Sequence, residues 1–265
     1  MFFYLCATTS ENTILRKITL FLILTFCISI AYSQRNVKDS AVSSFIFHAA
    51  YSFQVPNGDL TTYFGVNSTI GGGLSYKTDQ NWLFSTTLNF IFGDQVDHRE
   101  DILSMVINSD GEITDGNGAV TSLALFERGF HLQAKAGKIF DLLSPNSNSG
   151  IFVMGGIGYL QHRIRIEDQF GTAPQIMGDY AKGYDKLRGG FAVTGEMGYF
   201  MLSNSRVLNF SISAEAVHAF TKSLRDYDFV EMKYIDGRFS DTYLGIKVQW
   251  MIPTYARAPE KYYYD

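Results

Sequence analysis

Eight segments of this chain alternate apolar and polar side chains one by one, and that period of two decides what the chain can fold into. Successive side chains leave a β-strand on opposite faces, so each segment reads as a strand with one greasy and one polar surface. The clearest is RGFHLQAKAGKIF, residues 128–140. There Phe130, Leu132, Ala134 and Ala136 share one parity, while His131, Gln133 and Lys135 share the other. The same pattern runs through 43–53, 68–77, 82–92, 151–160, 191–201, 208–220 and 244–250. In 43–53, Phe45, Phe47, Ala49, Tyr51 and Phe53 oppose Ser44, His48, Ala50 and Ser52. After residue 33 no apolar run reaches the roughly 20 residues a spanning helix needs.

The first 33 residues read differently. Arg16 and Lys17 precede the apolar run ITLFLILTFCISI (18–30), and Ala31 and Ser33 stand three and one residues before Gln34. A basic patch, a short apolar core and small residues before a cut describe a secretory signal peptide, with the mature chain starting at Gln34. Both cysteines, Cys6 and Cys27, fall in this segment, so no disulfide framework is expected in the mature chain. Burial and backbone pairing must hold the fold. The formal net charge of −4 gives no reason to expect nucleic acid as a partner.

Connections between the segments alternate in length. Short ones fall at 78–81, 141–150 and 202–206, long ones at 54–67, 93–121, 167–190 and 221–238. Tight turns at one end and long loops at the other are the pattern of an outer-membrane barrel, with both chain ends on the periplasmic side. A soluble sandwich or barrel would turn the apolar faces inward and leave Lys135, Glu196, Glu215 and Lys247 in water. Three features favour the membrane alternative. The apolar faces are heavily aromatic, and Tyr51, Trp82, Tyr159, Tyr199 and Trp250 are expected as girdles at the two interfaces. The polar faces are rich in Gly, Ser and Thr, which suit a crowded lumen. Eight closing strands also leave no edge, as lipid demands.

The expected fold is therefore all-β, an eight-stranded antiparallel transmembrane up-and-down barrel over residues 34–253, with a periplasmic Tyr- and Pro-rich tail at 254–265. Such a barrel is just wide enough for side chains to fill. Lys77, His131, Lys135 and Lys247 are expected to pair inside it with Glu196 and Glu215, making the lumen a polar plug.

Few residues point to chemistry. Of the histidines His48, His98, His131, His162 and His218, the last faces the lipid side near the outer end of strand seven, where a lipid hydrolase would place its base. No serine partners it by spacing. Loop 93–121 holds Asp94, Asp97, Glu100, Asp101, Asp110, Glu112 and Asp115, yet SDGEITDGNG (109–118) lacks the full spacing of a calcium loop. Within it, REDILSMVI (99–107) is expected to form a short amphipathic helix over the barrel mouth. Arg163, Arg165, Lys182, Lys186 and Arg188 stand near the outer rim, where they either meet lipopolysaccharide phosphates or are simply solvated. No catalytic residue, metal site or cofactor is expected.

The blocks FERGF (126–130), GKIF (137–140), GYLQHRIRIE (158–167), KGYDKLRGGF (182–191) and TKSLRD (221–226) resemble those of an uncharacterised outer-membrane barrel family of the Bacteroidota. The architecture is also similar to the small barrels of the OmpA-transmembrane, OmpX and OmpW type. The chain departs from such barrels in continuing past Trp250 rather than stopping on an aromatic. The resemblance carries no known catalytic motif, and the likeness to small barrels, being one of architecture, says little about activity. The chain as a whole is expected to be an outer-membrane protein with a non-enzymatic structural or interaction role. The implied partners are outer-membrane lipid, lipopolysaccharide and an envelope protein complex. A conduit for small apolar molecules is the alternative, and a lipid hydrolase ranks third.

Overall fold

The computed structural model describes residues 41–255 except 109, 111, 169–170 and 204–207. The expected signal segment and residues 256–265 of the tail lie outside the described residues. Eight strands form the body: β1 (Ser44–Gly58), β2 (Asn67–Lys77), β3 (Trp82–Gly93), β4 (Leu123–Phe140), β5 (Gly150–Asp168), β6 (Arg188–Met201), β7 (Phe210–Ser223) and β8 (Arg238–Tyr255). Each pairs antiparallel with its neighbours in sequence, and β1 pairs with β8 from Ser44↔Tyr255 to Gly58↔Asp241, closing the ring.

The alternation sets the faces. Along β1 buried and exposed residues alternate from Ser44 to Val55, with Phe45, Phe47, Tyr51 and Phe53 on the outside. The outer wall elsewhere is just as apolar, including Phe84, Leu88 and Phe90 on β3 and Leu244, Ile246 and Val248 on β8. Inside lie Lys77, Lys135, Glu196, Glu215 and Lys247, all buried. The barrel is inside out relative to a water-soluble one.

Several strands run further than the alternation indicates. β1 continues through Gln54–Gly58, although Pro56 and Gly58 read as turn residues. Proline is tolerated there because pairing to β2 ends at Gln54↔Asn67, so Pro56 has only β8 beside it, at Tyr243. β4 begins at Leu123, β5 reaches Asp168 and β8 spans Arg238–Tyr255, so pairing covers Thr254 and Tyr255 as well. At one end the connections are short. In the 78–81 turn Asn81 adopts φ 63°, a left-handed geometry asparagine accepts readily. At the other end the loops are long and partly built of their own elements. These comprise one-turn helices, helix α1 (Arg99–Leu103), and two small hairpins, Ile113–Thr114 with Val120–Thr121 and Tyr227–Asp228 with Lys233–Tyr234.

The lumen is layered rather than polar throughout, which corrects the expectation of a polar plug. Toward the short-turn end, Ile46, Leu83, Ile139, Phe152, Met154, Phe200, Leu202 and Met251 form a buried apolar cluster. Charged and polar groups occupy the middle. Toward the long-loop end a larger apolar cluster joins wall residues Ile91, Leu125, Leu160 and Val217 to loop residues Leu60, Phe64, Ile102, Leu103, Ile113 and Ile176. Period-two reading cannot see this, because the loop side chains that complete the upper layer come from segments with no period.

Candidate functional site

The middle layer is built by four strands. Lys135 on β4, Glu196 on β6, Glu215 on β7 and Lys247 on β8 all point inward by parity, each with a side chain at most 1% exposed. Lys247 Nζ lies 2.6 Å from Glu196 Oε2 and 2.8 Å from Glu215 Oε1. Lys135 Nζ donates to Glu196 and lies 3.3 Å from Glu215 Oε1. Ser213 Oγ donates to Glu196 Oε1 at 2.7 Å, and Gln133 Nε2 to Glu215 Oε1 at 3.3 Å. Two ammoniums and two carboxylates thus cancel away from bulk water. Such a cluster is tolerable only when every charge is matched and hydrogen-bonded.

Around this tetrad, His48 bridges Thr87 Oγ1 at 3.0 Å and Ser75 Oγ at 3.2 Å, and Ser75 Oγ continues to Ser85 Oγ at 2.9 Å. His131 is buried on the same inner wall beside Gln133 and Lys135. Lys77 does not join the tetrad, contrary to the expected pairing with Glu196 and Glu215. It ends β2 at the short-turn rim, where its Nζ donates to Asn148 Oδ1 at 2.8 Å and to the carbonyls of Val42 and Thr78. The cause is height along the barrel: Lys77 pairs with Ser44 at the start of β1, whereas Lys247 pairs with Ser52 in its middle. Lys77 pins the 141–149 turn across that end.

Above the tetrad is a second polar set, of which only His162 and Arg188, and not their partners, were named from the sequence. Tyr243 Oη and Asn67 Nδ2 donate to the two oxygens of Glu127 at 2.7 and 2.8 Å. His162 Nε2 meets Asp241 Oδ2 at 2.9 Å, Thr221 donates to the same carboxylate, and Arg188 lies 3.8 Å from its other oxygen. These positions follow the inward parity of their strands once the strands are drawn to full length, which is the signal that would have found them. The His162–Asp241 pair has side chains 1% and 0% exposed and carries Phe64 edge-on at 5.4 Å. Such burial suits a structural role.

His218 faces outward, as its parity indicates. Its Nδ1 lies 2.9 Å from Thr242 Oγ1, with Phe220 edge-on to its ring. Of the aromatic positions, Trp82 opens β3 at the short-turn rim, Tyr199 and Trp250 lie toward the same end, and Tyr159 stands on the long-loop side. Tyr51 is different: with β1 running to Gly58 it sits midway up the wall, its hydroxyl 2.8 Å from Ser68 Oγ.

The five basic residues expected at the outer rim divide. Lys186 is buried on Asp228, and Arg188 packs over the Phe239 ring at 3.6 Å. Both line a cleft of about 350 Å3 at the mouth, together with Tyr63, Asp228, Lys233 and Phe239. Arg163 and Arg165 face outward, Arg165 with Glu167 at 2.6 Å, and Lys182 pairs with Asp179. α1 is present where a capping helix was expected, though only five residues long, with Ile102 and Leu103 buried. Among the described residues, no three His, Cys, Asp or Glu side chains converge as a metal site. In the acidic loop, Asp115 accepts the amides of Asn117 and Ala119 at 2.8 Å each, and the Ala119 amide, followed by that of Asn117, holds its carboxyl below the ordinary range.

No known protein family and no curated protein matches the chain. Solved structures similar to it include Ail, the attachment invasion locus protein of Yersinia pestis, in complex with the heparin analogue sucrose octasulfate (8% identity, 80% of this chain and 99% of that one, TM-score 0.37). Others are Neisserial surface protein A (11% identity, 79% and 97%, TM-score 0.38) and the N-terminal β-barrel domain of Pseudomonas aeruginosa OprF (10% identity, 78% and 97%, TM-score 0.34). The fold assignment rests on the closed ring of paired strands itself, and architecture alone does not carry function.

Proposed function

We propose that the protein is an outer-membrane β-barrel with a structural or interaction role, its lumen filled and its long loops turned outward. One observation carries the reading: below the long-loop rim an apolar wall faces outward while a matched set of buried charges lies within. In water that wall would be a hydrophobic patch of a size soluble monomers do not expose. In a bilayer it is the lipid contact surface, and each strand is paired to both neighbours around a closed ring, so no sheet edge is left open. Strands of 11 to 19 residues meet or exceed the roughly 9–11 a crossing needs, so the longest project beyond the bilayer.

Layers of apolar packing above and below the tetrad weigh against an open conduit. The pairing of every strand to both neighbours weighs against a side gate. His218, bonded to a threonine hydroxyl, and the shielded His162–Asp241 pair favour a non-catalytic role. Contact surfaces then remain: the loops, the mouth cleft and the wall, toward envelope lipid or an envelope protein complex.

The test is to express the full chain, isolate outer membranes and compare boiled with unboiled samples on a detergent gel. A heat-dependent band shift, with protease cuts in intact cells confined to 59–66, 94–122, 169–187 and 224–237, is the expected result. A single unshifted band in the soluble periplasmic fraction would overturn the reading.

A further inference from the structure

The outer wall is not uniformly apolar near the long-loop rim. Strand register places Gln161, Gly189, Lys222 and Arg238 side by side across β5, β6, β7 and β8, all on the outward face. Directly below runs the row Tyr159, Phe191, Phe220 and Ser240. Lys222 and Arg238 are therefore a like-charged cross-strand pair, an arrangement that destabilises a sheet unless an anion lies between them. Further along the rim Arg128 and Arg163 face each other in the same way. Among the described residues no carboxylate lies within ion-pair distance of Arg163, Lys222 or Arg238. The outward faces of β1, β2 and β3 carry no lysine or arginine, so the cationic arc covers one side of the barrel only.

The arc sits above a groove. Tyr159, Phe191, Phe220, Leu224, Lys222 and Arg238 border a cavity of about 510 Å3 on the outer wall. Gly189 lets two of its walls close in: a β-carbon there would stand 2.6 Å from Tyr159 Oη and 3.0 Å from Leu224 Cδ1, so any larger side chain would push both of them out of place. An apolar trough aligned with the wall and topped by two adjacent cations has the chemistry of one ligand class, a chain of methylenes ending in a phosphate. Phosphate bridges paired cations through charge-assisted hydrogen bonds, and aromatic and aliphatic walls take the acyl chain.

We propose that this groove holds a phosphorylated lipid of the outer leaflet, its acyl chain against Phe191 and Phe220 and its phosphate between Lys222 and Arg238. The proposal rests on the membrane reading above and names the lipid partner of that wall.

The test uses the full chain, folded in dodecyl maltoside micelles and checked for the heat shift. Native mass spectrometry then follows a titration with bisphosphorylated lipid A and with the same lipid stripped of both phosphates. The expected result is a retained adduct with the phosphorylated form only. Lys222→Ala/Arg238→Ala should weaken it on the order of tenfold or more, and Gly189→Val should weaken it with the charges intact. Lys138→Ala, at the opposite rim, should leave it unchanged. Binding by the double variant within about twofold of the parent, or equal retention of the dephosphorylated lipid, overturns the groove while the heat shift still stands. Loss of the heat shift in the parent protein overturns both readings together.

Discussion

Glu196 and Glu215 stand directly opposite each other on β6 and β7, and the single ammonium of Lys247 lies within hydrogen-bonding distance of both, at 2.6 and 2.8 Å. Two like charges on one rung repel, so this pairing persists only because Lys247 and Lys135 approach from other strands. The tetrad joins four of the eight strands through the barrel axis, which makes it a cross-brace as well as a filler.

Removing one member should therefore cost more than removing two. Lys247→Met leaves two carboxylates with one partner, and a broken buried ion pair typically costs about 3–5 kcal/mol. Lys247→Met/Glu215→Gln restores charge balance and should recover a good part of that loss. Reversible guanidinium unfolding in detergent micelles measures both. A loss under about 1 kcal/mol for the single variant would show that the tetrad is not under tension.

Exposure should predict tolerance the wrong way round on the wall. Ile246 is 60% exposed and lies mid-height, paired with Phe53 and Ala214. Ile246→Arg should nonetheless cost about 2–4 kcal/mol if, as proposed, that surface meets hydrocarbon near the bilayer midplane. Asp236→Arg, in a loop, should cost nothing measurable. Folding into lipid vesicles compares the two, and equal tolerance would mean that the wall meets water.

The loop cap should open without the barrel. Leu103 is fully buried between α1 and the upper apolar cluster. Leu103→Ala should remove about 2–5 kcal/mol of packing, spent in the cap, where the backbone bonds of the described residues of loop 94–122 run within the loop or to other loops. Limited proteolysis should then cut that loop faster while the heat shift stays unchanged. A lost heat shift would mean that the cap and barrel fold as one unit.

Acid should release the hairpin around Asp115. The amides of Ala119 and Asn117 favour its charged form, so its folded pKa lies below the unfolded one. Its contribution is then complete above the ordinary carboxylate range, near about 4, and is lost as pH falls through the lower folded value. Amide chemical shifts of Asn117 and Ala119 should titrate together below that range in the parent and not at all in Asp115→Asn. A midpoint at or above the ordinary value would contradict the capping geometry.

Alternation along the chain determined the number of strands, their inward and outward faces and the alternation of short and long connections. Side-chain parity is a local property of extended backbone, so it can be read without a partner strand. Hence Lys135, Glu196, Glu215 and Lys247 were legible as a group. Height along the barrel was not, because it depends on register between strands far apart in sequence. Register sends Lys77 to the rim and Tyr51 to mid-wall, brings Asp241 to His162, and lines up Lys222 with Arg238 above Phe191 and Phe220. The upper apolar layer also belonged to the tertiary structure alone: Leu60, Phe64, Ile102 and Ile176 reach the lumen from loops, and only closure of the ring gives those loops a common interior to fill.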